Sequence, residues 1–494
     1  MTMRAFCTLA LIAAATTAAT TAANAQDSTE SVTRRQIVLN GKPLRYTARA
    51  GLLPIRENEA GEVRGNMFYV AYTVDRAPGA PARPLTFVWN GGPGANSTLV
   101  HLVGFGPRRV RISDDPAAGA PVTPVIEDNT ETWLDVTDLV FVDPIGTGYS
   151  RPAKPEHATE FYSTLGDIAS VTEFIRTYRT HFDAWDGPLF LAGESYGTWR
   201  AAGVAEALEN RGQRVAGVLL ISGGIPFGPV ATDAARTAMF VPNRTATAFY
   251  HRTLAPDLQR DLSATLKQSE QWATDVYAPA VARRDSLGAV ERDSIIAALA
   301  RFTGVQPSDV DRNTLAMSSP QFTSSLLRAQ QKTLGRYDMR LTGQGSSPDR
   351  APVMLAYLRD ELRFRTDLTY QGLEPAGATA GRGASVGARW NWNQAPPNAP
   401  RPSAGSGDGP PGGPQPWLRR AMMVNPKLRA FVAAGLYDSL NGCADNAHII
   451  SRIDALFRAN FTAGCYGGGH MMYDVATARR ELKRDVAAFL SAAR

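Results

Sequence analysis

One stretch, Pro188-Leu-Phe-Leu-Ala-Gly-Glu-Ser-Tyr-Gly197, constrains this chain more than any other. Leu189, Phe190, Leu191 and Ala192 form an apolar run of the right length for one buried strand. Gly193-Glu194-Ser195-Tyr196-Gly197 then fits G-x-S-x-G, and the Ala-rich run from Thr198 to Leu208 has helical spacing. A strand, a sharp glycine-flanked turn and a helix are the setting in which this motif lifts a serine hydroxyl above a sheet edge. The first amides of the helix then face whatever the serine attacks. The pentapeptide alone also fits a plain strand–helix turn whose serine caps the helix, so the rest of the chain must discriminate.

Other strands end in the same way. Leu85-Thr-Phe-Val-Trp89 runs into Asn90-Gly-Gly-Pro-Gly94, and Leu139-Val-Phe-Val-Asp143 into Pro144-Ile-Gly-Thr-Gly148. Val215 to Ile221 runs into Ser222-Gly-Gly224, and Leu428 to Ala434 into Gly435-Leu-Tyr-Asp438. Thr164 to Phe182 is an amphipathic helix candidate, and Ala447–Phe457 and Thr477–Ala493 are later ones. Near the start, Gln36–Ala50 and Asn66–Val74 read as antiparallel strands joined by the polar turn Glu57–Gly65. Strands alternating with helices, with glycine loops at strand C-terminal ends, predict an α/β fold with a mostly parallel central sheet and chemistry at those ends.

The pattern changes after Pro226. Helical, charged segments follow (Leu262–Tyr277, Ala289–Phe302, Met354–Phe364), then a low-complexity run from Gly372 to Pro416. The division predicted is core at 26–225, an inserted helical lid at 226–417 with a Pro/Gly-rich loop at 395–416, and core again at 418–494. A separate helical domain with its own partner is the competing reading of the middle segment. At 494 residues the chain accommodates either.

Residues 1–25 read as a signal peptide: Arg4, an apolar run from Phe6 to Ala14, and Ala23-Asn24-Ala25 as a cleavage site. The Thr-rich end of this segment disfavours an anchor, and no later run is long and apolar enough to span a bilayer. The expectation is an exported protein, periplasmic or extracellular. Its remaining cysteines, Cys443 and Cys465, form one disulfide in an oxidising compartment, or else two buried free thiols. The net charge of +6 is scattered, with no basic block, so no nucleic-acid partner is expected. No Cys/His cluster has metal-ligand spacing, and no phosphate-cradling or dinucleotide-binding glycine motif occurs, so no metal or cofactor is expected. Nothing in the chain reports an oligomeric state.

Three loops carry the chemistry. Ser195 sits on the elbow, Asp438 follows a late strand, and His470 lies in Gly467-Gly-Gly-His-Met-Met-Tyr473. Serine, aspartate, histidine is the chain order of hydrolase triads on α/β sheets. A serine hydroxyl needs a base within hydrogen-bond reach, and that base needs a carboxylate to fix its tautomer. An attacked carbonyl becomes an oxyanion, which needs two preorganised amides. Tyr196 N–H, next to the nucleophile, is one, and Gly92 in the Asn90–Gly94 loop is the candidate for the other.

Together Asn90-Gly-Gly-Pro-Gly94, Phe141-Val-Asp-Pro-Ile-Gly-Thr-Gly-Tyr-Ser150, Gly193-Glu-Ser-Tyr-Gly197, Gly435-Leu-Tyr-Asp438 and Gly469-His-Met471 resemble the serine carboxypeptidases, peptidase family S10. The resemblance covers 85–225 and 418–475 and implies an α/β-hydrolase fold. It also implies release of the C-terminal residue from a peptide with a free C-terminus, through an acyl-enzyme. It assigns Asn90 and Glu194 to the substrate's terminal carboxylate. Glu194 beside a carboxylate requires a shared proton, which favours acidic pH. There are departures. Ala95-Asn96-Ser97 replaces a cysteine-containing continuation, Trp89 stands directly before Asn90 rather than two places before it, and Gly104 stands where a second glutamate is common. An esterase or acyltransferase using the same triad on a non-peptide substrate is the first alternative. A noncatalytic binding protein on this fold is the second.

Overall fold

The computed structural model describes residues 30–56, 58–117, 123–343, 349–373, 385–394 and 415–493. The expected signal peptide at 1–25 and most of the Pro/Gly-rich loop at 395–416 lie outside the described residues.

The strands, in chain order, are β1 (Glu30–Leu39), β2 (Lys42–Ile55), β3 (Gly65–Val74), β4 (Leu85–Trp89), β5 (Arg108–Arg111), β6 (Val125–Asp128), β7 (Asp138–Asp143), β8 (Arg151–Pro152), β9 (Leu189–Glu194), β10 (Gly217–Ile221), β11 (Arg429–Gly435) and β12 (Phe461–Tyr466). Among the described residues they form one sheet in the order β1-β2-β3-β7-β4-β9-β10-β11-β12, with β8 beside β3, and a separate ribbon β5-β6. From β7 to β12 the pairing is parallel, while β1, β2 and β3 form an antiparallel extension.

The central strands β4, β9 and β10 are buried at every position because both faces of the sheet are covered. Successive side chains alternate between two cores: Phe87 and Trp89 join one and Val88 the other, and Leu189 and Leu191 are separated in the same way from Phe190 and Ala192. Helices Thr164–His181, Gly197–Asn210 and Trp417–Val424 cover the first face. Helix Ala476–Ala492 and the turns of Val100–Phe105 cover the second.

The segment between β10 and β11 divides physically. Its first part packs on itself around two small cores, one with Met239, Tyr277, Leu299 and Leu315, the other with Leu254, Phe322, Leu327 and Met339. The region Ala351–Tyr370 belongs instead to the second face of the sheet. There Tyr357 and Tyr72 hydroxyls meet at 2.8 Å, and Tyr370 donates to Asp143 at 2.7 Å. Trp390 and Asn391 are fastened to the first face: Trp390 Nε1 donates to Thr164 Oγ1 at 3.2 Å, and Asn391 exchanges backbone bonds with Tyr162 and Thr164.

Two elements differ from expectation. The stretch Gln36–Ala50 is not one strand but the hairpin β1–β2, turned at Asn40-Gly41, where both φ angles are positive as a two-residue Asn-Gly turn requires. The edge strand β12 was not expected, because five of its six residues are only partly buried or exposed in no alternating pattern a core strand would show. No helix among the described residues is long and apolar enough to cross a membrane.

Candidate active site

The elbow forms because β9 stops at Glu194 and the chain reverses sharply. Ser195 has φ of +58°, and its N–H is held by the carbonyl of Ile221 at 2.8 Å. A residue other than glycine occupies that region only when neighbours enforce it. The Asn90–Gly94 loop abuts the start of the following helix so closely that a Cβ on Gly91 would lie 2.5 Å from Tyr196 N. Gly92 has φ of +96°, and Trp89 Nε1 donates to Gly197 O at 2.9 Å. The loop and the helix start, which carry the Gly92 and Tyr196 amides, are thus clamped side by side.

Asp438 is fully buried after β11. Its Oδ1 accepts from Leu440 N at 2.8 Å and its Oδ2 lies 2.7 Å from His470 Nδ1. A carboxylate only accepts, so Nδ1 carries the proton and Nε2 is the basic face of the ring. The His470 backbone is fixed at both ends: its N–H donates to Tyr337 O at 2.5 Å, and its carbonyl accepts from Ser222 Oγ at 2.6 Å. Nε2 is buried with no hydrogen-bond partner and lies 3.3 Å from Glu194 Oε1. Contacts between nucleophile and base commonly tighten only around a substrate. Burial opposes charge on His470, but Asp438 and then Glu194 outweigh it and push its pKa up to about 9. Burial likewise raises Glu194, against the pull of His470 and Asn90.

Asn90 joins this group through Nδ2, which donates to Glu194 Oε2 at 2.5 Å, while its Oδ1 accepts from Val100 N at 3.1 Å. Behind it lies a pair that sequence reasoning missed. Arg200, wholly buried, donates from Nη1 to Asn90 O at 2.7 Å and from Nε to Asp167 Oδ2 at 2.8 Å; the same Asp167 oxygen accepts from Tyr196 OH at 3.1 Å. One ion pair therefore ties both oxyanion-side segments together. The only signal was a charged residue on the buried side of an Ala-rich helix. Tyr473 was also missed. Its ring packs on Gly104, where a Cβ would stand 3.3 Å from Cδ2, so an aromatic ring lies against the position noted as lacking a second glutamate.

Ser195, Glu194, Asn90, Gly92, Tyr196 and His470 all line one cavity of about 1650 Å³. Cys443 and Cys465 form a disulfide. Cys443 opens the helix after the Asp438 loop, and Cys465 lies on the strand before the His470 loop, opposite Ala434 of β11. Among the described residues no group of histidine, cysteine and carboxylate side chains could hold a metal ion.

A helix-covered, mostly parallel sheet with G-x-S-x-G at a strand-to-helix turn defines an α/β hydrolase. Residues 40–336 match the serine carboxypeptidase family. A pheromone-processing carboxypeptidase kex1 from Neosartorya fischeri is 26% identical over 171 residues, 33% of this chain and 24% of that protein. A carboxypeptidase Y homolog from Arthroderma benhamiae is 30% identical over 154 residues, 30% of this chain and 28% of that protein. The chain spans about a quarter of the length of the curated relatives it matches. The crystal structure of the prohormone-processing carboxypeptidase Kex1(delta)p from Saccharomyces cerevisiae shares the fold, with a TM-score of 0.52 at 16% identity over 90% of this chain and 91% of that one. This chain belongs to the serine carboxypeptidase family.

Proposed function

We propose that this protein is an exported serine-type carboxypeptidase that removes the C-terminal residue of peptides through an acyl-enzyme. The observation that carries the reading is the Asn90–Glu194 pair, 2.5 Å apart and buried beside the nucleophile, with Glu194 also 3.3 Å from the triad imidazole. A general esterase has no use for a buried carboxyl–amide pair at that point; a terminal carboxylate does. Asn90 donates to it and Glu194 shares a proton with it, because two adjacent carboxylates do not both ionise cheaply. His470 acts as base only when neutral, so the shared proton sits on the carboxyl pair and not on His470 Nε2.

The steps then follow. Ser195 Oγ attacks the scissile carbonyl and its proton passes to His470 Nε2. The resulting oxyanion is held by the N–H groups of Gly92 and Tyr196. His470 returns the proton to the leaving amine as the C–N bond breaks, and the terminal amino acid departs. Water, activated by the same imidazole, releases the shortened peptide from Ser195. Asp438 holds the Nδ1–H tautomer throughout. The described parts of the inserted segment that line the cavity, around Tyr337 and Trp392, cover this site. A cleaved signal peptide at 1–25 and a periplasmic or extracellular destination are supported by the disulfide, since such bonds persist in oxidising compartments.

The test is hydrolysis of N-blocked dipeptides with free and amidated C-termini, with Ser195→Ala as the control. The free acid is expected to be cleaved at least tenfold faster. Equal rates for the two would replace this reading with the esterase one.

A further inference from the structure

The cavity straddles the C-terminal edge of the sheet, and its two sides differ. Beside Asn90 and Glu194 it is lined by Leu99 and Met471, which pack against the core of the face carrying helix Ala476–Ala492. Across Ser195 it is lined by Trp199, Trp392, Ile225 and Val230, of which Trp199, Ile225 and Val230 pack with the core of the opposite face. Trp199 and Trp392 stand edge-to-face with centroids 5.9 Å apart, and both meet the ring of Tyr196, at 5.9 and 5.7 Å. Tyr196 is the residue directly after the nucleophile, so this aromatic group is built onto the elbow itself.

The wall is held in place from both directions. Trp199 is in the first turn of the helix Gly197–Asn210 and lies against the glycine loop after β10, with Nε1 3.4 Å from where a Gly224 Cβ would be. Trp392 is two residues beyond Trp390, whose indole is hydrogen-bonded to Thr164, and one beyond Asn391, bonded through its backbone to Tyr162 and Thr164. Charged groups that line the cavity with this wall include Asp233 and Arg236. Arg236 is paired with Asp445 at 3.4 Å, and Asp233 stands in the first turn of a helix, where the macrodipole favours its charge.

A peptide with its terminal carboxylate at Asn90 and Glu194 and its scissile carbonyl at Ser195 continues, in the N-terminal direction, across the sheet edge towards this wall. We propose that Trp199 and Trp392 receive the side chain of the residue that supplies the scissile carbonyl, and that they select aromatic and large aliphatic side chains there over small or charged ones. The direction of the peptide rests on the carboxypeptidase reading; the apolar, aromatic chemistry of the wall does not. Aromatic side chains bring large contact area and edge-to-face geometry to such a surface.

The experiment compares N-blocked dipeptides with a constant C-terminal leucine and Phe, Leu, Ala or Arg before it. A parallel series uses p-nitrophenyl esters of acetate and 3-phenylpropionate, which carry the acyl side without a terminal carboxylate. The wild-type kcat/KM for Phe is expected to exceed that for Ala by roughly 50-fold, within the range that extra apolar bulk commands in a hydrophobic pocket. Trp392→Ala and Trp199→Ala are expected to lower the Phe substrate about tenfold more than the Ala substrate, and Trp392→Phe to restore part of the difference. Fluorophosphonate labelling at wild-type stoichiometry verifies that each variant keeps its site. Parallel losses for Phe and Ala, a preference for Arg, or a preference that tracks the C-terminal residue instead would overturn the proposal. If no dipeptide is cleaved but the ester preference collapses in Trp392→Ala, the wall stands and the carboxypeptidase reading falls.

Discussion

Asp167 and Arg200 pair at 2.8 Å with side chains 2% and 0% exposed; Asp293 and Arg312, in the inserted helices, pair with 59% and 53% of their side chains in water. The contrast runs through both regions. In the α/β core a charge is admitted only where it fixes something: Arg200 grips the carbonyl of Asn90, and Asp438 holds His470. In the inserted helices ion pairs such as Asp257–Arg301 and Asp293–Arg312 lie in water, with Arg244 buried and donating to Met317 O, and order comes from local devices. Ser318 and Gln321 form a reciprocal capping box, Gly304 ends a helix in the left-handed conformation, and two small apolar clusters do the rest. The core positions buried groups through paired charges, and the outer inserted helices hold themselves together around their own small cores.

That contrast breaks or sharpens under substitution. Ser195→Ala is expected to lower kcat by at least ~10⁴-fold while leaving the melting temperature in place; loss of folding instead would mean that the elbow is chiefly structural. Arg200→Met strands Asp167 without its partner in a dry site and is expected to cost about 3–5 kcal/mol in denaturant unfolding. Adding Asp167→Asn to it is expected to recover part of that loss, and no recovery would dissolve the pair as a unit. Removing the disulfide as the double variant Cys443→Ser, Cys465→Ser is expected to cost about 2–4 kcal/mol, with activity falling at temperatures well below global unfolding.

A smaller effect concerns pH. Glu194 has a raised pKa, so its acid form survives to higher pH than that of an ordinary glutamate, and the proposed carboxylate binding needs that acid form. Activity on free peptides is therefore expected to fall as pH rises from 5 to 8, chiefly through KM. In Glu194→Gln that fall is expected to vanish. The acid limb is expected to move to lower pH as well, because one of the two carboxylates that raise His470 is gone. An unchanged profile in Glu194→Gln would remove Glu194 from substrate binding. Smallest of all, Arg312→Ala in the insert is expected to leave the melting temperature and kcat/KM within experimental error.

The shape of the site's loops was legible where it rests on contiguous residue patterns. Asn90–Gly94 and Gly193–Gly197 announce themselves because strand ends, positive φ angles and close backbone approach demand glycine at fixed spacings. Arg200 and Tyr473 gave no such signal. Their importance depends on which side of a helix or turn is buried, and that is decided by partners distant in sequence. The Asn40-Gly41 turn was readable and was passed over because alternation continued on both sides of it. Tyr337 was beyond reach for another reason: it acts on His470 through its main-chain carbonyl, which every residue type supplies.

That carbonyl has a consequence for how such a protein diversifies. The hydrogen bond from His470 N–H to Tyr337 O crosses from the catalytic loop to the inserted segment, and a Cβ on Gly469 would come within 2.3 Å of the same oxygen. The insert is thus not a module that can be exchanged freely above a finished catalytic centre. A graft from another hydrolase, however well folded, would leave the backbone amide of His470 without its acceptor unless it rebuilt one turn of chain at the same spot. Lineages and designers alike can vary the outer helices at little cost, while the loop around Tyr337 must change in step with Gly469 and His470.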